Sequence, residues 1–505
     1  MFISYNLFKF GAKYNNKFQA MKTHLSFLLV AGFLITALTD LNAQVLSGIK
    51  VLRGRTDTVA TANHIVVGAT IPGSEVYING NKVFQYKTGS FGTELKLKEG
   101  DNPIVIKALY GGAQSEMSFS VFYKIYKPVP KIEVPGNYQF PVVITKPGAY
   151  LNYGAGQDRL GGAKINYLAE GVKMELLDSV GNLYRVKLSE RNYSYIPKDF
   201  VGRTPSGTKP PFSLTGSWSV SNIGKADRVS VSLEQRQPYT VKEDLDPNRI
   251  VVDIYGAACN TNWVTQYLDL KTIDFVDLQQ IQPDVFRVII NLKNKYSWGY
   301  SVDYTGNSLN ITIKHAPQPT IRGMVIGIDA GHGGTAFGAV STAGYQEKLQ
   351  NLAMVYMLKE ELEKRGARVV LSRVNDSDVS MGERSTIFKN ENIDLLIAIH
   401  CNAGGNPLLN GGTSTYYRHV EYRDLAETIL KRLVVLDGVK NFGLIGNFNF
   451  SLNASTNYPS VLVETLFMSS LPDEEKITDK IFQRKMMVQV AKGLEDYLKK
   501  VKKAK

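Results

Sequence analysis

Met324-Val325-Ile326-Gly327-Ile328-Asp329-Ala330-Gly331-His332-Gly333-Gly334 reads as a buried strand running into a glycine-rich turn. Three further short apolar runs follow, at residues 369–371, 395–399 and 461–463, with helical stretches between them. Strands that are apolar on both faces and spaced by helices indicate an α/β domain with a largely parallel sheet. Residues 346–365 read as its first helix, ended by Arg365-Gly366, and residues 472–500 as its last.

Polar residues stand where these strands finish. His332 follows the first, His400 ends the run 395–399, and Glu464 ends the run 461–463. Glu347 opens the first helix, whose inward stripe continues through Asn351, Val355, Leu358 and Leu362, so its carboxylate faces the protein rather than bulk water. In open α/β sheets ligands gather beyond the carboxyl ends of the strands, which is the rim these four residues share. Two neutral imidazoles and a carboxylate make a three-donor zinc site with a fourth position for water, and a second carboxylate beside it can move a proton. Taken singly, each residue has an ordinary alternative. His332 can be a polar loop residue, His400 a hydrogen-bonded strand end, Glu347 a complement to a helix N-terminus, and Glu464 the partner of a buried arginine such as Arg384. All four alternatives holding on one rim is the less economical reading.

Upstream the pattern is β throughout. Residues 46–125 alternate polar and apolar positions between the turns Ile71-Pro72-Gly73-Ser74, Asn79-Gly80 and Glu99-Gly100-Asp101-Asn102, with Val76, Ile78, Leu95, Leu97, Ile104 and Ile106 as core positions. A joint containing Pro128, Pro130 and Pro135 leads to residues 137–202, which close with Leu183-Tyr184-Arg185-Val186-Lys187-Leu188 and Tyr195-Ile196. After the linker Thr204-Pro205-Ser206-Gly207-Thr208-Lys209-Pro210-Pro211, residues 213–315 carry further strands, among them Arg249-Ile250-Val251-Val252-Asp253-Ile254 and Leu309-Asn310-Ile311-Thr312-Ile313. Ala316-Pro317-Gln318-Pro319 is the last joint. These three stretches resemble, in order, bacterial immunoglobulin-like modules, bacterial Src-homology-3-like barrels and the AMIN domain.

Composition bounds the remaining choices. At 505 residues the chain exceeds a single core, and 44% hydrophobic with 21% charged residues is ordinary for globular domains. The net charge of +13 suits an anionic polymer or surface, cell-wall material included, but no basic patch interleaved with aromatics points to nucleic acid. Cys259 and Cys401 are too few for a disulfide framework or a thiolate zinc cluster. Cys401 follows His400 and so points to the opposite sheet face, as a small buried hydrophobe. Residues 1–43 read as an export region: Met21-Lys22-Thr23-His24 precedes the apolar run 25–38, and Leu41-Asn42-Ala43 before Gln44 resembles a cleavage site. Met21 makes the better start of such a signal. No other segment is apolar enough to span a bilayer, so the expectation is a mature protein without an integral membrane segment, exported to a periplasm or beyond.

Residues 322–500 resemble the catalytic domain of zinc-dependent N-acetylmuramoyl-L-alanine amidases. The matching segments occur in the family's order: the Ile328–Gly334 turn residues quoted above, Glu347-Lys348, Ser372-Arg373, Glu383-Arg384, Ile399-His400-Cys401-Asn402-Ala403 and Leu462-Val463-Glu464-Thr465-Leu466-Phe467. The resemblance implies Zn²⁺ held by His332, Glu347 and His400, with Glu464 as the catalytic glutamate. It implies peptidoglycan as the substrate and compatibility with an activator protein. Ala330, Ala398, Leu466 and Ser470 stand where the family commonly has proline, serine, glycine and asparagine; none of these removes a ligand or the base. The architecture expected is multidomain, with three small all-β modules before an α/β catalytic domain whose twisted, largely parallel sheet is flanked by helices. Two other functions stay open on sequence: a non-catalytic peptidoglycan-binding or regulatory protein with a degenerate domain, and a zinc carboxypeptidase acting on the stem peptide.

Overall fold

A computed structural model describes residues 48–55, 58–124, 142–156, 160 and 162–504. The export region at residues 1–43 and the proline joint near Pro128 lie outside the described residues. Two compact units form, one carrying the strands up to Tyr123 and the other the strands from Val142 onward.

The first unit has a three-stranded and a five-stranded sheet. Its strands Glu75–Ile78 and Asn81–Val83 form a hairpin closed at Asn79 and Gly80, whose φ values of 48° and 81° match the left-handed pair a tight hairpin needs. Val76, Ile78, Leu97, Ile104 and Ile106 are buried together around Phe91. Leu95 is only partly buried and packs at the edge of this core.

In the second unit, seven antiparallel strands lie between Val142 and Arg203. A five-stranded and a four-stranded antiparallel-rich pair of sheets follows, between Trp218 and Lys314. Leu151, Val186 and Ile196 of the first sheet share one continuous core with Ile250, Val288 and Ile311 of the next two.

The C-terminal part of this unit is built from β1 (Val325–Ala330), α1 (Glu347–Lys364), β2 (Arg368–Leu371), α2 (Met381–Asn390), β3 (Leu395–Asn402), β4 (Thr413–Tyr416), α3 (Arg423–Leu433), β5 (Asn441–Ile445), β6 (Ser460–Phe467), α4 (Leu471–Thr478) and α5 (Lys480–Lys503). The sheet order is β2-β1-β3-β6-β4-β5. All neighbours are parallel except β6 and β4. From β1 the chain crosses to β2 on one side, whereas from β3 it continues to the other. A crevice therefore opens between the ends of β1 and β3, where a doubly wound sheet places its ligands.

Residue alternation decides what each face meets. Ile326, Ile328, Ile397, Ile399, Val461 and Val463 pack against α1, α3 and α5. Leu396 on the opposite face joins Phe388 of α2 and Ile393. Gly327 has no room for a side chain, since a Cβ would lie 2.6 Å from Ile393 Cδ1. The stripe of α1 is buried at Asn351, Met354, Val355, Leu358 and Leu362, and Gly366 at φ +89° turns the chain away after its end.

Two elements differ from the sequence reading. The single helix expected over residues 472–500 is two helices, because Asp479 is extended (φ −81°, ψ 109°) and its side chain accepts from Ile481 N at 2.8 Å to cap α5. The edge strand β5 was not anticipated; its residues are exposed or half-buried and Gly443 interrupts the apolar pattern at φ +141°. Among the described residues no helix is long and apolar enough to cross a membrane.

Candidate metal centre

Three of the four residues singled out on sequence meet in one place. Donor atoms of His332, Glu347 and His400 all lie within 4.8 Å of one another. His332 Nε2 is 3.3 Å from Glu347 Oε2, and His400 Nδ1 is 3.2 Å from Glu347 Oε1. A cation bound tetrahedrally at about 2.0–2.1 Å needs donors about 3.3 Å apart, and these three side chains, with donor atoms within 4.8 Å of one another, are close enough to close on one ion by small side-chain adjustments.

Backbone geometry delivers each donor. His332 takes up the left-handed conformation (φ +62°) just beyond β1, which turns its ring back toward the sheet. His400 is the sixth residue of the buried strand β3, and Cys401 beside it points to the other face, near Asn351 and Thr465. Its ring lies over Gly331, where a Cβ would come within 2.3 Å of His400 Cε1. Glu347 begins α1. Gly338, at φ +69°, leaves the space its carboxylate occupies: a Cβ there would sit 2.5 Å from Glu347 Oε2 and 2.7 Å from His332 Cδ2.

Glu347 is held from several sides. Its Oε2 accepts from Ala339 N at 2.8 Å, and its Oε1 from Cys401 N at 3.0 Å and Asn351 Nδ2 at 3.1 Å. Burial alone would raise its pKa, but the hydrogen bonds and charges of His332 and His400 outweigh it and hold the carboxyl well below the usual range. For His400 burial works downward; the bond to Glu347 and the charges of Glu464, Glu347 and Asp329 overcome it and lift the ring to about 9. His332 keeps 34% of its side chain exposed, against 9% for His400 and 4% for Glu347, so the cluster opens to solvent on its side.

Glu464 is not part of the three-donor cluster. It stands on β6 in register with His400 of β3, on the same sheet face and one strand spacing away. Thr413 Oγ1 donates to its backbone carbonyl at 3.2 Å. The alternative partner weighed for it, Arg384, instead meets Asp329 Oδ1 at 2.6 Å.

Two arginines of the sequence motifs hold the His332 turn, a task that the sequence did not indicate for either. Arg384 donates to the carbonyls of Ala330 (2.7 Å) and His332 (2.6 Å). Arg373 donates to those of Ala330 (2.9 Å), Gly331 (3.1 Å) and Lys348 (2.7 Å). Asn351 reaches Gly331 O at 3.2 Å. These side chains fix the turn that presents His332 and tie it to the start of α1. Phe450, which meets the ring of His400, had no signal in the sequence beyond its aromatic character.

A family model described as N-acetylmuramoyl-L-alanine amidase matches residues 326–496, and one described as the AMIN domain matches residues 219–313. The chain is 24% identical over 381 residues to N-acetylmuramoyl-L-alanine amidase AmiC of Neisseria meningitidis serogroup B, covering 57% of this chain and 90% of that protein. It is 32% identical over 186 residues to the uncharacterized protein YqiI of Bacillus subtilis, covering 36% of this chain and 88% of that one. Among solved structures, the N-acetylmuramoyl-L-alanine amidase from Clostridium difficile 630 is 30% identical with a TM-score of 0.34, over 35% of this chain and 98% of that chain.

Proposed function

Because this chain belongs to the N-acetylmuramoyl-L-alanine amidase family, we propose that it works as a zinc hydrolase in peptidoglycan remodelling, with His332, Glu347 and His400 holding the ion and Glu464 moving the proton. The bond cut is the amide between the lactyl group of N-acetylmuramic acid and L-alanine of the stem peptide. The observation that carries the metal assignment is the convergence of three donor residues within 4.8 Å of one another, with His332 Nε2 3.3 Å from Oε2 and His400 Nδ1 3.2 Å from Oε1 of Glu347.

Zinc in such a site supplies Lewis acidity toward the scissile carbonyl and brings the pKa of water to about 7. The protein's own residues do the rest. Glu464, next to His400 across the strand pair, accepts the proton that water gives up on attacking the carbonyl carbon. It then delivers that proton to the nitrogen of L-alanine as the C–N bond breaks, leaving a carboxylate on the lactyl group and a free amine on the peptide. Arg373, Arg384 and Asn351 keep the His332 turn in place throughout.

The same reading assigns wall binding or positioning to the upstream β modules, with residues 46–125 taken as immunoglobulin-like and residues 137–202 as Src-homology-3-like. It places the protein outside the cytoplasm, in a periplasm or beyond, as its AMIN segment and its likeness to the N-acetylmuramoyl-L-alanine amidase AmiC favour. An activator is compatible with it.

The test is metal analysis of the purified protein together with mass spectrometry of fragments freed from peptidoglycan. Stoichiometric zinc and a new L-alanine amino terminus are expected. Glu464→Gln should keep zinc and lose turnover; retained turnover would defeat the assignment of the base. A non-catalytic wall binder would release nothing, and a carboxypeptidase would expose a different amine.

A further inference from the structure

Two buried polar atoms face each other beside the metal site, and neither has a hydrogen-bond partner among the described residues: Asp329 Oδ2 and His400 Nε2. They are 3.9 Å apart. Asp329 is fully buried, at the end of β1, and its other oxygen takes the 2.6 Å bond from Arg384 Nη1. Buried carboxylate oxygens and imidazole nitrogens are rarely left alone, because each forfeits its bonds to water. Here one is an acceptor by its chemistry, and the other becomes a donor as soon as the proton of His400 resides on Nε2.

Which nitrogen carries that proton matters to the site. His400 turns Nδ1 to Glu347 and the metal-holding triangle, and Nε2 to Asp329. To offer Nδ1 as a ligand the ring must keep its proton on Nε2. We infer that Asp329 is a positioning residue that sets the tautomer and orientation of His400 through its Oδ2, with Arg384 holding the carboxylate in place. The two atoms stand 3.9 Å apart, beyond hydrogen-bond length; closing by about 1 Å would make the arrangement in which a ligating histidine gives its other N–H to a carboxylate, and in metal sites generally loss of that partner lowers metal affinity roughly 10–100-fold. Gly331 permits it, since any side chain there would push the ring away from both neighbours.

The competing explanation is that Asp329 only neutralises Arg384. Asn at this position separates the two. Its carbonyl can still accept from Arg384, while its amide turns a donor toward Nε2 and favours the tautomer that has Nδ1 protonated.

The inference rests on zinc being the ion bound, so the full chain is first loaded with zinc alone. Long-range proton–nitrogen spectra of the zinc-loaded wild type should show His400 ligating through Nδ1 with Nε2 protonated. Competition against a chelator should show Asp329→Asn binding zinc 10–100-fold more weakly, with the thermal midpoint of the metal-free protein within a few degrees of wild type. Ser372→Ala removes a hydroxyl that accepts from Ala330 N at 3.2 Å and from Arg384 Nη1 at 3.5 Å in the same region, and should leave zinc affinity unchanged. Ligation of His400 through Nε2 in the wild type would overturn the inference even if the variant failed to fold. So would zinc affinity within twofold of wild type in Asp329→Asn, or an equal loss in Ser372→Ala. A wild type that takes up no zinc would instead defeat the zinc reading on which this one stands.

Discussion

Phe450 meets His400 edge to face, with ring centroids 5.7 Å apart and planes at 84°. The residue before it, Asn449, accepts from Lys164 Nζ at 3.4 Å, on a strand of the seven-stranded upstream sheet, and donates at 2.5 Å to the carbonyl of Gly162 in the turn just before that strand. Arg418 also reaches the carbonyl of Lys164 and the side chain of Asn447. One short loop thus connects an upstream module to a proposed metal ligand.

Removing the connection should be felt at both ends. Asn449→Ala strands the buried Lys164, whose pKa burial and Arg418 already lower, and should cost roughly 1–3 kcal/mol in urea unfolding. Turnover should fall with it, because Phe450 loses its anchor. Unchanged stability and unchanged turnover would show that the loop holds its place without the upstream sheet.

Gly338→Ala should damage the centre without touching a ligand. The added methyl would collide with Glu347 Oε2 and His332 Cδ2, and φ +69° disfavours any side chain there. Zinc affinity measured by chelator competition should drop at least tenfold. Wild-type affinity would mean that the turn relaxes more freely than its packing implies.

A pair of acids gives the seam between the AMIN segment and the catalytic domain a pH dependence. Glu243 and Glu421 interact across it; Glu243 is pushed well up by burial and then by the charge of Glu421, and Glu421 is pushed by burial to about 7. Ser297 lies beside Glu243, Arg418 acts on Glu421, and Tyr300 and Tyr422 feel both acids. The folded protein holds these protons more tightly than the unfolded chain, whose glutamates titrate near 4.5. The contribution of Glu421 is therefore complete below pH 4.5 and is lost as the pH rises through about 7. Glu421→Gln, uncharged at every pH, should flatten that loss and stabilise the protein at pH 8 by on the order of 2 kcal/mol. Parallel thermal-midpoint curves for the two proteins from pH 5 to about 8 would contradict it.

Trp298 makes the catalytic domain depend on its neighbour. It comes from the AMIN segment yet is buried in the catalytic core, 6.3 Å from the ring of Tyr497 on α5. Tyr296 beside it donates to Asp424 Oδ2 at 2.7 Å. Trp298→Ala should cost about 3–5 kcal/mol by denaturant titration. A fragment beginning at Arg322 should keep some activity on soluble muropeptides but melt well below the full chain; equal midpoints would deny the tryptophan this role.

The sequence made the donors legible because each sits at a strand or helix boundary that apolar runs mark. His332, Glu347, His400 and Glu464 could be named from such boundaries and from motif order. The tasks of Arg373 and Arg384 could not, since they depend on which carbonyls a long side chain reaches after the turn has folded. Asp329 lay inside the first motif, but its neighbour is 71 residues on, and only the register of β1 with β3 brings the two together. The capping box at Ser380 and Glu383 was written in the sequence as S-x-x-E and would have announced α2. Trp298 gave no sign, because a lone tryptophan in a β segment does not say which core it will enter.

With Ala339 N, Asn351 Nδ2 and Cys401 N all bonded to its oxygens, Glu347 is held between the two imidazoles before any ion arrives. Calcium asks for six to eight oxygen donors and magnesium for an octahedron of them, and the donor cluster offers a single carboxylate beside two imidazoles. On the zinc reading, a donor set fixed in advance would leave hard cations, however abundant in the surrounding medium, at a disadvantage against a softer, four-coordinate ion.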